Sequence, residues 1–338
     1  MTVKLENLQV VIFSRNRHKH LIESLRYWDK CGVQTLVLHN TQDPLDSTDI
    51  PQTTEYIVHE GSFAERCKIA SYILKSNFFI IASDDERYLP TALFKMVELL
   101  ENSPELTSVG GQAIGVMKHG LRYRTSLAYR SQIQYQNTAT DFHGRFNFHY
   151  ESGRNYSGGM YRVFRREDFQ KFLFLISKFS DFGTPYIFEV TAELFWTLIG
   201  PAEYVDEVFW VRNWVVPPIQ TGDWDRKQYF YEWSQNPTHK KEFESWKQMV
   251  AQEFEPLQSN PDFFTKITFH RKKIEQSEQT RNYEFRIRKK VMRKKMARAV
   301  VSIFQSKYQA KKLYLELSGH GVTVRNDELM FALNSMTS

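Results

Sequence analysis

The sequence predicts an α/β fold: a mostly parallel sheet with helices on both faces. Three observations predict it. Short apolar runs alternate with helical periodicities through the N-terminal part, polar residues gather directly after three of those runs, and one run ends abruptly in Asp84-Asp85-Glu86. Alternation of this kind is the pattern of βα units, whose ligands collect at the carboxyl ends of the strands.

The elements follow in order. Val10-Val11-Ile12-Phe13 reads as a buried strand, and Leu21, Ile22, Leu25 and Trp28 then share one face of a helix. Leu36-Val37-Leu38 is a second strand. After a polar loop rich in Thr, Asp and Pro, Tyr56-Ile57-Val58 is a short third one, and Phe63, Cys67, Ala70 and Leu74 space a second helix. Phe78 to Ala82 is the fourth strand. Beyond the acidic cluster Pro90 suits the first turn of a helix whose buried face is Leu93, Met96, Val97 and Leu100. The order is βαββαβα.

Ser14-Arg15-Asn16-Arg17 follows the first strand, His39-Asn40-Thr41-Gln42-Asp43 the second and Asp84-Asp85-Glu86 the fourth. No GxGxxG follows the first strand and no GxxxxGK[ST] occurs, so any phosphate must be held by a metal and basic side chains. Adjacent carboxylates raise one another's pKa and destabilise a fold unless a cation answers them. A divalent ion carrying a phosphate meets that need, while stabilising a helix dipole is the plainer alternative.

Val11 to Arg17, the loop and helix Glu60 to Ala70 with Arg66, and Ile80 to Glu86, in this order, resemble the nucleotide-sugar half of GT-A glycosyltransferases, especially the family 2 type. The resemblance covers roughly the first two-thirds of the chain, as one domain of ordinary size. It implies a Rossmann-like nucleotide-diphospho-sugar transferase domain over residues 1–222 and a helical, basic extension over 223–338. Asp84-Asp85-Glu86 stands as a DxE variant of the DxD-type motif. By that match Asp84 lies near the nucleotide, and Asp85 and Glu86 are the metal ligands for Mg2+ or Mn2+. Ser14, Arg15, Arg17, Asn40, Asp43 and Arg66 would surround the nucleoside and phosphates. The usual acidic residue directly after the second strand is absent, so Asn40 or Asp43 must substitute.

The later half extends the resemblance. Ser157 to Glu167, with Gly158 and Gly159, is similar to the small-residue loop and strand that close the donor site, where glycines permit close backbone approach to a sugar. Tyr186 to Trp196 reads as a helix with Glu189 and Glu193 one turn apart, and Gly200 and Tyr204 to Trp210 supply the following turn and strand. Either glutamate could be the base that accepts the acceptor hydroxyl's proton; measured back from Gly200, Glu189 fits the family register better, though Val190 stands where a second acid is usual. An inverting displacement from a UDP-sugar or another nucleotide-diphosphate donor to a glycan or lipid-linked acceptor, in surface polysaccharide synthesis, is what the resemblance implies. His143 and His149 have no regular metal spacing and read as loop or core residues, or as residues facing the acceptor.

Composition fits this frame. The chain has 338 residues, 41% hydrophobic, 25% charged and 15% aromatic, which is ordinary for a soluble domain apart from the aromatic excess. Cys31 and Cys67 form no CxxC or metal spacing and suit a reduced, cytoplasmic setting. Met1 to Gln9 lacks a signal-peptide core, and no apolar run reaches membrane-spanning length. From Asp223 onward Trp224, Tyr229, Tyr231, Trp233 and Trp246 punctuate a polar, helical stretch. Between Arg281 and Lys312 basic residues crowd onto a segment whose Met292, Met296, Ala299, Val300 and Ile303 make an apolar stripe. That stretch reads as a solvated helix packed on the catalytic domain or as a basic amphipathic helix on an anionic membrane surface. Nucleic-acid binding lacks an RNP, KH or zinc pattern. Two other readings of the whole chain stand beside the enzyme: a non-catalytic GT-A-like membrane- or nucleic-acid-binding protein, and a sugar nucleotidyltransferase. The latter would carry a Gly-rich, Lys- or Arg-bearing loop after the first strand, absent here.

Overall fold

The computed structural model describes residues 5–119, 122–128, 138–151, 160–179, 186–213, 229–276, 317–319 and 321–336. Among them a nine-stranded sheet runs in the order β3-β2-β1-β4-β8-β6-β9-β5, with β7 paired to β6. Its first half is the predicted one: β1 (Leu8–Arg15), β2 (Gln34–Asn40), β3 (Thr54–Val58) and β4 (Phe78–Ala82) pair in parallel. Its second half is mixed. β8 (Val163–Arg165) lies antiparallel to both β4 and β6 (Ser108–His119), β7 (Arg122–Ala128) forms a hairpin with β6, and β9 (Ala202–Asn213) runs parallel to β6. A two-residue strand, β5 (Arg87–Tyr88), pairs antiparallel with β9.

The unbroken apolar runs of β1, β2 and β4 are explained by burial on both faces. Val10, Ile12, Val37, Ile80 and Ala82 enter one core, whereas Val11, Leu36, Leu38, Phe79 and Ile81 enter the other. Helix α1 (His18–Lys30) and helix α3 (Pro90–Asn102) cover the first face. Pro90 starts α3 as expected, and Leu93, Met96, Val97 and Leu100 are buried. On α1 Leu21, Leu25 and Trp28 are buried, but Ile22 is only partly so and Tyr27 takes part of that face. Helix α2 (Phe63–Ile73), with a capping box between Ser62 and Glu65, covers the second face. Leu74 follows that helix as its C-cap and is buried there.

Helix α5 (Arg166–Ile176) was not expected, although Phe169, Phe172, Leu173 and Ile176 fall at helical spacing; it packs beside α2 and α6 (Tyr186–Leu198). α6 is buried nearly all round, because the extension lies against it. Helix α7 (Phe230–Gln235), helix α8 (Lys240–Glu253) and a helical run over 262–276 place Phe230, Trp233, Trp246, Val250, Phe264 and Ile267 in the second core. Trp246 donates its indole N–H to Thr191 Oγ1 of α6 at 2.9 Å. The last described helix, Asn326–Asn334, returns to the first face, where Phe331 stacks on Tyr27 with centroids 5.1 Å apart. The described parts of the extension thus complete both cores. The expected boundary at 222, the basic segment 281–312, and Gly158 and Gly159 lie outside the described residues. Among the described residues no helix is long and apolar enough to cross a membrane.

Candidate functional site

The carboxyl ends of β1, β2 and β4 lie side by side, since β1 is paired on both sides. After β1 the chain turns sharply at Asn16, whose φ of 52° lies in the left-handed region that asparagine tolerates better than most residues. Its backbone N–H reaches the carbonyl of Asn40 at 3.3 Å, tying the first loop to the end of β2. This turn sends Arg17 back over the strand ends toward the loop after β4.

There Arg17 bridges two acids. One guanidinium nitrogen stands 2.7 Å from Asp84 Oδ1 and the other 2.8 Å from Asp85 Oδ2. Ser14 donates to the second Asp84 oxygen at 2.7 Å. Asp84 is buried, and burial pushes its carboxyl up to about 6, with Asp85 adding to the rise and Arg17 and Ser14 opposing it. Asp85 is the more open of the two acids, its side chain 14% exposed. Four of the expected site residues, Ser14, Arg17, Asp84 and Asp85, therefore meet in one contact group.

Glu86 does not join them. It points the other way along the loop, accepting from the indole N–H of Trp210 at 3.0 Å, with Arg212 Nε at 3.3 Å from its other oxygen. Burial pushes its carboxyl up to about 7, Arg212 opposing and Asp85 reinforcing. Of the two acids expected to hold the ion, Asp85 faces Arg17 together with Asp84, and Glu86 stands apart with β9. Adjacent residues in a loop point in different directions, and the indole and guanidinium of β9 hold Glu86.

Arg66 faces inward too. It is buried and donates to the backbone carbonyls of Ser14 at 2.9 Å and Leu38 at 3.1 Å, so it braces the ends of β1 and β2 instead of offering charge to a phosphate. Burial lowers its pKa to about 10. Asn40 is half-buried and donates to the Gly61 carbonyl at 2.8 Å, holding the loop before α2. Arg15 and Asp43 are exposed, and His18 contacts the Asp43 backbone carbonyl.

The two glutamates of α6 part company. Glu189, in the first turn, is half-buried; its charge raises the pKa of the Tyr161 phenol, as does that of Glu86, after the larger effect of burial. Tyr161 stacks on Trp210 with centroids 4.2 Å apart and hydrogen-bonds Ser83, so it stands between the acidic loop and the start of α6. Glu193, one turn on, is only 2% exposed. His149 Nε2 lies 2.7 Å and His270 Nε2 3.4 Å from its Oε1, and Arg271 donates to its Oε2 at 3.0 Å. Burial alone would push this carboxyl up; the His149, His270 and Arg271 partners outweigh it and hold Glu193 well below the usual carboxylate range. A carboxylate so enclosed has both oxygens taken by buried partners, which leaves Glu189 the more open of the two glutamates. His149 is a core residue, not one facing an acceptor.

Sequence reading missed the residues that shape this site from a distance. Tyr161, Trp210 and Arg212 arrive from β9 and the segment before β8, which no local signal links to Glu86. Arg87 is buried and donates to the carbonyls of Asp84 at 3.1 Å, Glu86 at 2.8 Å and Ser335 at 3.2 Å, pinning the acidic loop to the end of the last helix.

No protein-family model matches the chain, and no curated protein does. Among solved structures it is similar to S. aureus TarS: at 12% identity and a TM-score of 0.44 over 73% of this chain, and, for TarS 1-349 in complex with UDP-GlcNAc, at 11% identity and 0.45 over the same share. The chain spans 42% of the length of the first of these structures and 71% of the second.

Proposed function

We propose that this chain is a glycosyltransferase that takes a sugar from a nucleotide-diphosphate donor and passes it to a glycan or lipid-linked acceptor. The observation that carries this reading is the convergence of Ser14, Arg17, Asp84 and Asp85 where the parallel strands end. Ligands of open α/β sheets bind at that edge. The Arg17 guanidinium is shaped for paired oxygens and suits a diphosphate as well as two carboxylates. Asp85, with Asp84 behind it, offers the hard oxygen donors that Mg2+ or Mn2+ takes alongside substrate phosphates, and Arg17 must leave one of them for the ion to bind. When bound, such an ion stabilises the negative charge of the departing diphosphate. Glu189 is the remaining candidate for the base, worth about 10² to 10⁴ in rate. Inversion, a UDP-sugar donor and a role in surface polysaccharide synthesis rest on the sequence resemblance; a cytoplasmic location beside an anionic membrane, reached through residues 281–312, rests on composition.

One observation favours a second reading. Arg17 already neutralises both acids from within, as it would in a GT-A-like binding protein that has lost catalysis. A panel of nucleotide sugars, UDP-sugars first, scanned by thermal shift and hydrolysis with Mn2+, separates the two. Binding to the native state raises the melting temperature. The enzyme reading expects one donor to stabilise the protein and be hydrolysed, with both effects lost in Asp85→Asn. Failure of every donor, with Asp85→Asn indistinguishable from wild type, sinks it.

A further inference from the structure

The second cluster of ionisable side chains lies away from the strand ends. His149 comes from the helical turn Asn147–Glu151, Glu193 from α6 and His270 from the run 262–276, and their ligand atoms all lie within 4.8 Å of one another. We propose that these three side chains form a structural zinc site that fastens the catalytic-type sheet domain to its helical extension.

The donor chemistry is the first reason. Two imidazoles and one carboxylate are a recurrent zinc set, with the fourth tetrahedral position left to a water molecule, and nitrogen donors favour Zn2+ over Mg2+ or Mn2+. The placement of the atoms is the second. Both Nε2 atoms face the same carboxylate oxygen, at 2.7 Å and 3.4 Å. Donors around a tetrahedral zinc ion, with bonds of about 2 Å, stand roughly 3.3 Å apart, so small shifts of the rings suffice to admit an ion between them. Third, His270 Nε2 is buried and, among the described residues, meets only the Glu193 carboxylate, at a long 3.4 Å and off good hydrogen-bond geometry, which leaves a poorly served polar atom aimed at this point. Arg271 does not occupy the same face. It holds Glu193 by the other oxygen, Oε2, as an outer partner that orients a ligating carboxylate does. Because His149, Glu193 and His270 are each at most 3% exposed, the ion would enter as the chain folds and leave only when it unfolds.

The experiment uses the full chain. Protein is unfolded with a chelator, refolded with Zn2+, with Co2+ or with neither, passed through a desalting column and assayed for metal content. About one zinc ion per chain is expected to remain, together with a higher melting temperature than that of the metal-free sample. The Co2+ form is expected to show the visible absorption of a tetrahedral nitrogen and oxygen site, a readout that needs no variant. His270→Gln and His149→Gln are expected to lose the metal, while Asp85→Asn, which alters only the proposed donor site, retains it. Absence of bound metal and of the cobalt bands overturns the proposal and leaves a hydrogen-bonded ion-pair cluster. Zinc retained equally by both histidine variants overturns it too, by placing the ion elsewhere.

Discussion

Two carboxylate clusters in this molecule use the same chemistry to different ends. At the strand ends Arg17 joins Asp84 and Asp85 with side chains 16%, 3% and 14% exposed, so water and ligands can reach one side of the group. Behind α6, Arg271 joins Glu193 with both side chains 3% exposed or less, and imidazoles fill the other positions. An arginine beside a partly open acid can be drawn off by a competing anion or cation. An arginine beside an enclosed acid cannot. The first arrangement suits a site that binds and releases, and the second a joint that stays closed.

The largest effect should come from breaking the closed cluster. Glu193→Gln takes from the buried Arg271 guanidinium the nearer of its two carboxylates, and from His149 and His270 the charge they face, and should cost about 3–5 kcal/mol of stability, read from urea unfolding. A loss under about 1 kcal/mol would show that the cluster is as weakly coupled as a surface pair. Opening the other cluster should do the reverse to function. Arg17→Gln should lower stability by only about 1–3 kcal/mol, since Ser14 still serves Asp84, while raising the affinity of the acids for Mn2+ measured by electron paramagnetic resonance. Unchanged Mn2+ binding would show that Arg17 does not compete for that position.

A second buried imidazole, His39, faces a phenol hydroxyl where His149 faces a carboxylate. His39 contacts the Tyr56 hydroxyl through Nδ1 at 2.6 Å, and burial, with His18 and Arg66 nearby, lowers its pKa from 6.5 to about 4. Between those values the unfolded chain holds the extra proton. The His39 contribution is therefore full above pH 6.5 and is lost as pH falls toward about 4. Urea midpoints should decline over this window in the wild type and decline less in His39→Gln; parallel curves would remove His39 from the account. The smallest effect belongs to the cap of α2, the helix that carries Arg66. Ser62→Ala removes one half of a capping box and should cost about 1 kcal/mol, without altering Mn2+ binding.

The legible parts of the fold were those whose signal is local. The strands β1, β2, β3 and β4 announced themselves as apolar runs, α1, α2 and α3 as spaced apolar residues, α6 as a helix with two glutamates one turn apart, and Pro90 as a helix start. The hairpin of β6 and β7 was not read although its two strands are neighbours in the chain, and the two-residue β5 was not, because a strand this short whose partner β9 lies far along the chain needs little periodicity of its own. At the site, Ser14, Arg17, Asp84 and Asp85 were legible from their position after strands. Arg66, assigned to the site by resemblance, sits on α2 and braces the carbonyls beneath the strand ends, an orientation that no local spacing gives.

Sequence by itself determined the βα alternation, the two-sided burial of the central strands and the collection of charge at their carboxyl ends, because each follows from periodicities a few residues long. Only the tertiary structure decided that Glu86 belongs to Trp210 and Arg212, 124 residues and more away, and that Glu193 belongs to His149 and Arg271, 44 and 78 residues distant. Glu189 and Glu193 sit one helical turn apart with the same chemistry. What separates them is which neighbours exclude water, and that is set by how α6 is covered by the extension, a property of packing that no local spacing encodes.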